Sequence, residues 1–275
     1  MDTLPEARLN LIIFYLKRGE IEEAFDLVNN MISQHSIEYL LKAITYCIIG
    51  YQKKSKHLNE AQEYFSIVGK SAAECDTITG RQAMASSYFL NNQFDEVLVY
   101  LDSIKTYFHD DDTFNFNIGQ ALLACGNSLK AETSLLLVVD EELRLKPAYF
   151  LSLARAYIQN GKSDLAWEMY GKVKNCDDSF QLLSIIANDC YRIGDYLYSA
   201  KSFDSMEITE PNPEYWEGKR GAIIGVFKLV VEQKAPLDHL REAMILLERS
   251  THPQVEYIAN IIRKYIRRSN LNCDF

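Results

Sequence analysis

In EPNPEYWEGKRGA, residues 210–222, the run Gly218-Lys219-Arg220-Gly221 has the glycine-lysine pairing that brings an ammonium group to a nucleotide in phosphate-binding loops. That chemistry also needs glycine where Pro213 stands and serine or threonine where Arg220 stands, so the motif fails at both ends. The stretch reads instead as a junction: Pro211 ends one helix, Pro213 starts the next at its first turn, and Trp216 anchors it. Gly218 and Gly221 then permit close helix approach. Other reactive side chains are equally poor in partners. Cys190, in NDCYRIG, has no histidine near it in sequence and falls at an inward helical position, so it reads as a core thiol. His35, His57, His109, His239 and His252 sit near loops or helix ends without metal-binding spacing and read as solvated. The acidic run Asp110-Asp111-Asp112 resembles a calcium loop, but Phe114 and Asn115 follow where a ligand and a glycine are needed. Asp112 or Thr113 is expected to cap the helix FNFNIGQALLAC instead.

The elements that would position such residues follow from composition. A chain of 275 residues, 48% hydrophobic and 24% charged, is globular, and only 6 prolines and 12 glycines leave too little punctuation for an all-β fold. A formal charge of −9 argues against general nucleic-acid binding, which concentrates Lys and Arg against phosphates. No apolar run approaches the length of a membrane span, and MDTLPEARLN lacks the basic and apolar regions of a signal peptide, so no direct membrane insertion is expected. Cys47, Cys75, Cys125, Cys176, Cys190 and Cys273 form no C-x-x-C pair and are read as buried free thiols of a reducing cytoplasm. No cofactor or metal is called for.

A period near thirty-five residues organises the chain. Ala24, Ala61, Val97, Ala131, Ala166 and Ser199 are spaced by 37, 36, 34, 35 and 33 residues. Four positions after each comes a large apolar side chain: Val28, Phe65, Leu101, Leu135, Tyr170 and Phe203. That offset places small and large residues on one helix face. The clearest unit is FLSLARAYIQNGKSDLAWEMYGKV, where Phe150, Leu153, Ala154 and Tyr157 mark one helix and Ala166 and Tyr170 the next. Gly161 between them can adopt a left-handed C-cap, with Gly19, Gly126 and Gly194 at the equivalent joints. This is the tetratricopeptide pattern of helix-turn-helix units.

The predicted fold is an all-α solenoid, a superhelix of such hairpins in one domain over residues 1–275. About six repeats run to residue 211, an irregular hairpin and a capping helix occupy 212–268, and a short tail 269–275 follows. The insertion YQKKSKHLNE between Gly50 and Ala61 predicts a longer inter-helix loop with a basic tip. Ala243 comes 44 residues after Ser199, which stretches the last hairpin. In PQVEYIANIIRKYIRR, Val255, Ile258, Ile262 and Ile266 keep helical spacing and predict the cap. Stacked hairpins expose an extended concave wall suited to gripping another polypeptide, so a non-enzymatic binding role is expected. Tyr215, Trp216, Lys219 and Arg220 are candidates for a partner surface, because Trp, Tyr and Arg anchor interfaces; closure of the core between two repeats is the competing reading of the aromatic pair.

Several segments are more specific than the repeat: GKSAAECDTITGRQAMAS, DDTFNFNIGQA, IANDCY with YSAKSFD, PNPEYWEGKRGA and HPQVEY. Together, in order and over nearly the whole chain, they resemble the intraflagellar transport protein 56 family, also called tetratricopeptide repeat protein 26. The resemblance implies a subunit of intraflagellar transport complex B that supports cilium and flagellum assembly and carries motility cargo. Its implied partners are other complex B subunits, above all intraflagellar transport protein 46, and ciliary cargo proteins; its implied location is the cilium or flagellum, the ciliary base and the cytoplasm. Members carry further repeats, so the chain would correspond to the C-terminal half, with Met1 an added start. No catalytic residues carry over. Two alternatives remain: a chaperone-binding module that clamps a terminal carboxylate with cations, and an enzyme with a site after Trp216.

Overall fold

The computed structural model describes residues 5–53, 56–174 and 178–268. Met1, Cys176, Cys273, the tail 269–275 and part of the basic tip (Lys54, Ser55) lie outside these residues. The architecture is all-α, of the helical-hairpin solenoid class: among the described residues there is no strand. Two compact units are formed, Met1–Asn127 and Ser128–Phe275.

The first unit contains α1 (Pro5–Arg18), α2 (Ile21–Asn29), α3 (Ser36–Lys53), α4 (His57–Lys70), α5 (Ile78–Leu90), α6 (Phe94–Asp102) and α7 (Asp112–Ala124), with a 3-10 turn at Lys105–Tyr107. Each helix packs against its successor from α1 to α7. The second contains α8 (Ser128–Leu136), the single turn α9 (Glu141–Arg144), α10 (Pro147–Gln159), α11 (Ser163–Val173), α12 (Ser179–Ile193), α13 (Tyr196–Thr209), α14 (Pro213–Val231), α15 (Leu237–Glu248) and α16 (Val255–Arg268).

The repeat register is realised in the cores. Ala24, Ala61, Ala131, Ala166 and Ser199 are fully buried and Val97 nearly so, and the six large residues four positions on are buried as well. Small side chains there let the backbones of crossing helices approach, and the large ones fill the next groove. The joint at Gly161 has φ 72°, in the left-handed region that L side chains avoid, and Gly19, Gly126 and Gly194 share it. Asn160 and Lys162 bolt this turn to α8. Both donate to the Glu132 carboxylate at 2.6 Å, and Asn160 also donates to the Ser128 carbonyl at 3.1 Å. In the α5–α6 joint Asn92 takes the left-handed role with φ 57°, a position the glycine pattern did not reveal.

Three expectations are corrected. The residues inserted after Gly50 do not lengthen the loop: α3 continues to Lys53, where the ammonium meets Glu22 at 2.8 Å, and α4 begins at His57. Extra residues extend the helix because Gly50 packs on Leu58, so α3 and α4 stay in contact past the expected stop. The cap of α7 is Asp111, whose carboxylate accepts the Phe114 N–H at 2.7 Å; Asp112 is already helical. Two histidines are packed among aromatic rings: His57 against Phe25 and Tyr46, and His252 stacked on Trp216 at 4.4 Å.

At the chain's last described helix the expected stripe is present. Ala259, Ile262 and Ile266 are buried, with Val255 and Ile258 packed at the edge of the same core.

Candidate functional site

A concavity lies within the first unit. It is a groove of about 630 Å³ along the first helices of successive hairpins. Its wall repeats one device. Leu40, Ile44, Cys47 and Tyr51 on α3, Gln82, Ser86 and Phe89 on α5, and Thr113, Asn117 and Gln120 on α7 each follow the i, i+4, i+7 spacing of one helix face. Phe65, Leu101, Phe108 and Phe114 form the floor, Phe108 and Phe114 stacked with centroids 5.3 Å apart.

Apolar floor and neutral hydroxyl and amide side chains suit a polypeptide backbone with apolar side chains. They do not suit acid-base chemistry. Burial pushes the Cys47 thiol and the Tyr51 phenol above their ordinary ranges, so both stay protonated, and the Asp111 carboxylate is occupied in capping α7. The lining contains no Lys or Arg among the described residues, so a clamp for a terminal carboxylate lacks its cations. Reading the sequence missed this groove. The signal was a second stripe on the first helix of each repeat, of mixed polarity and therefore weaker than the Ala/large register.

The residues singled out around Trp216 lie in the second unit, and the structure divides them. Trp216 is 4% exposed and Lys219 1%, both inside the core where α13, α14 and α15 meet. Tyr215 and Arg220 are half-buried at the surface, Tyr215 edge-on to Phe180 and Arg220 donating to the Gln254 amide oxygen at 2.8 Å. Lys219 Nζ lies 2.9 Å from Asp204 Oδ1 and 2.7 Å from Glu207 Oε2. Arg249 reaches the other Asp204 oxygen at 3.3 Å, and Ser250 Oγ donates to Glu207 at 3.1 Å. The ammonium is buried and already paired with two carboxylates, so Lys219 closes the core and presents no free cation to a phosphate.

Pro213 opens α14 as expected, with Asn212 capping it by accepting the Glu214 N–H at 2.9 Å. A Cβ added at Gly218 would stand 2.6 Å from the Phe203 ring, and one at Gly221 3.1 Å from the Tyr191 hydroxyl, so the glycines set how closely α14 meets the preceding hairpin.

No group of three or more His, Cys, Asp or Glu that could hold a metal occurs among the described residues, and none of their helices is long and apolar enough to cross a membrane. Of the thiols, Cys190 is fully buried, Cys47 and Cys125 are partly buried, and Cys75 is exposed, which corrects the expectation of uniform burial. Cys75 sits in the turn joining α4 to α5, where there is no core to enter. Burial pushes the Cys190 thiol up to about 12. At pH 8 iodoacetamide should therefore alkylate Cys75 in the native chain and reach Cys190 only after denaturation. Peptide mapping by mass spectrometry checks this, and rapid native labelling of Cys190 would contradict its packing.

Among solved structures, a tetratricopeptide repeat protein from Parabacteroides merdae is 13% identical, with 94% of this chain and 98% of that chain covered at a TM-score of 0.49. MamA from AMB-1 is 17% identical, with 62% and 97% covered at 0.45. Among curated proteins, the intraflagellar transport protein 56 homolog of Caenorhabditis elegans is 36% identical over 276 residues, 99% of this chain and 48% of its own length. The chain thus spans about half the length of that relative. Residues 1–274 match the family described as intraflagellar transport protein 56. With a match of that extent and a relative of that identity, the chain belongs to the intraflagellar transport protein 56 family.

Proposed function

We propose that the chain is a non-enzymatic, protein-binding part of an intraflagellar transport complex B subunit, serving cilium and flagellum assembly and the movement of motility cargo. The observation that carries this reading is the family match across residues 1–274. The groove on α3, α5 and α7 supports it from the physical side, since it offers apolar floor and neutral polar walls to a polypeptide and no acid-base pair to a substrate. In this reading intraflagellar transport protein 46 is the docking partner, and the working location is the cilium or flagellum, its base and the cytoplasm.

Affinity capture of the chain from ciliated cells should recover complex B subunits, intraflagellar transport protein 46 among them. Ser86→Arg with Asn117→Arg puts two long cations into the groove from positions that are not part of the core. This pair should reduce capture by about tenfold, the loss expected when interface contacts worth roughly 1.4 kcal/mol disappear, while far-ultraviolet circular dichroism stays unchanged. Undiminished capture would remove the groove from the reading, and recovery of chaperones without complex B subunits would overturn the transport role itself.

A further inference from the structure

The last described helix, α16, has a second apolar face beside the one that it packs on the core. Its inner face packs on the core through Ala259, Ile262 and Ile266. Its other side exposes Tyr257 (71%), Ile261 (47%) and Tyr265 (38%), four residues apart and so in one row along the helix, with the Tyr265 ring at the inner edge, edge-on to Phe227 of α14 at 5.3 Å. Lys264, Arg267 and Arg268 flank that row, all exposed and without an ion pair among the described residues. Arg263 differs, being held by the Glu248 carboxylate of α15. Four basic residues against Glu256 give α16 a net charge of +3 (4 − 1), on a chain whose net charge is −9.

A row of two tyrosines and an isoleucine beside three cations has the aromatic and apolar anchors and charged rim of an interface. We infer that the outer face of α16 is the docking site for an amphipathic helix of a partner protein, one whose apolar stripe is flanked by Asp and Glu. The apolar row and its flanking cations run from Tyr257 to Arg268, about 16 Å at 1.5 Å per residue, the length of three helical turns. Complementary charge selects the acidic partner and its register: carboxylates should meet Lys264, Arg267 and Arg268 at one end of the row, while apolar side chains cover Tyr257 and Ile261. A flat anionic bilayer is a poorer fit, because the basic strip is one helix wide on an otherwise acidic chain. The inference does not depend on the ciliary role.

The test uses the whole chain and a synthetic stapled helix with leucines along one face and glutamates beside them, its binding followed by fluorescence anisotropy. The same helix with lysines for glutamates, phosphatidylserine vesicles, and sedimentation of the chain alone complete the set. The glutamate helix should bind and the lysine helix should not. Binding should weaken by at least about tenfold with Lys264→Glu, Arg267→Glu and Arg268→Glu combined, and separately with Ile261→Asp, and should fall with added salt. These positions are exposed, and unchanged tryptophan fluorescence from Trp167 and Trp216 confirms that the second unit has kept its fold. The inference fails if the glutamate helix does not bind, or binds wild type and charge-reversed chains equally. It also fails if vesicles, or a second copy of the chain, take the surface in its place with the same dependence on the three cations.

Discussion

Replacing Lys219 with methionine should destabilise the second unit by about 3–5 kcal/mol, the cost of removing one partner from a buried ion pair. Methionine fills the same space, so the loss isolates charge from packing. Asp204 has a side chain 4% exposed and Glu207 one 22% exposed, and both accept from the same ammonium. Without it, two carboxylates face each other with only Arg249, itself 58% exposed, and the Ser250 hydroxyl to compensate. Both tryptophans of the chain, Trp167 and Trp216, lie in this unit, so urea unfolding followed by tryptophan fluorescence reads it selectively. Adding Asp204→Asn to the methionine variant should recover part of the loss, because the amide oxygen still accepts from Arg249 and the carboxylate left without its ammonium is then only that of the less buried Glu207. A loss below about 1 kcal/mol, the scale of a surface pair, would show that the cluster is solvated and contributes little.

Gly80→Ala is the second substitution with a large expected effect. A Cβ at this position would overlap the backbone carbonyl of Glu74. That carbonyl cannot retreat: it accepts the Thr77 N–H at 2.8 Å and the Thr77 hydroxyl at 2.8 Å, while Thr77 Oγ1 caps α5 by accepting the Gly80 N–H at 3.0 Å. The close-packed turn must therefore open, at a cost of about 1–3 kcal/mol or more for overpacking. Hydrogen exchange of α4 and α5 amides should accelerate, and the groove wall that α5 supplies through Gln82 and Ser86 should shift, weakening partner capture. Gly171→Ala is the matched control. A Cβ there meets nothing within 4 Å, so the helix should gain about 0.5–1 kcal/mol from reduced backbone entropy in the unfolded chain. If both substitutions behave alike, the steric account of Gly80 is wrong.

These two positions explain why family-specific wording and structure coincide. ECDTITGRQ is the turn in which Thr77 and Gly80 lock α4 to α5. PNPEYWEGKRGA carries the cap Asn212, the anchor Trp216, the buried Lys219 and the two glycines on which α13 and α12 side chains rest. In IANDCY and YSAKSFD, the Ser199 hydroxyl donates to the Ala187 carbonyl at 2.8 Å, Cys190 is fully buried, and Asp204 supplies the carboxylate for Lys219. In each segment these close contacts leave room for few residue types.

The hairpin register was legible from residue types alone. A small residue or valine followed four positions later by a large apolar side chain is a local pattern, and the left-handed glycine at Gly19, Gly126, Gly161 and Gly194 is a backbone requirement that nothing distant alters. The groove was less legible, since its stripe mixes Leu, Tyr, Gln, Ser and Asn and only the neighbouring helices turn these into one wall. The fate of Lys219 could not be read at all. A lysine four residues from the end of a charged junction looks solvent-facing, and it is interior because Asp204 and Glu207, fifteen and twelve residues earlier on another helix, neutralise it there. The sequence by itself determined the helices, their period and the family. Only the tertiary structure decided which charges are buried and which cations on α16 are left facing outward, because burial of a charge depends on partners that folding, not chain order, brings within 3 Å.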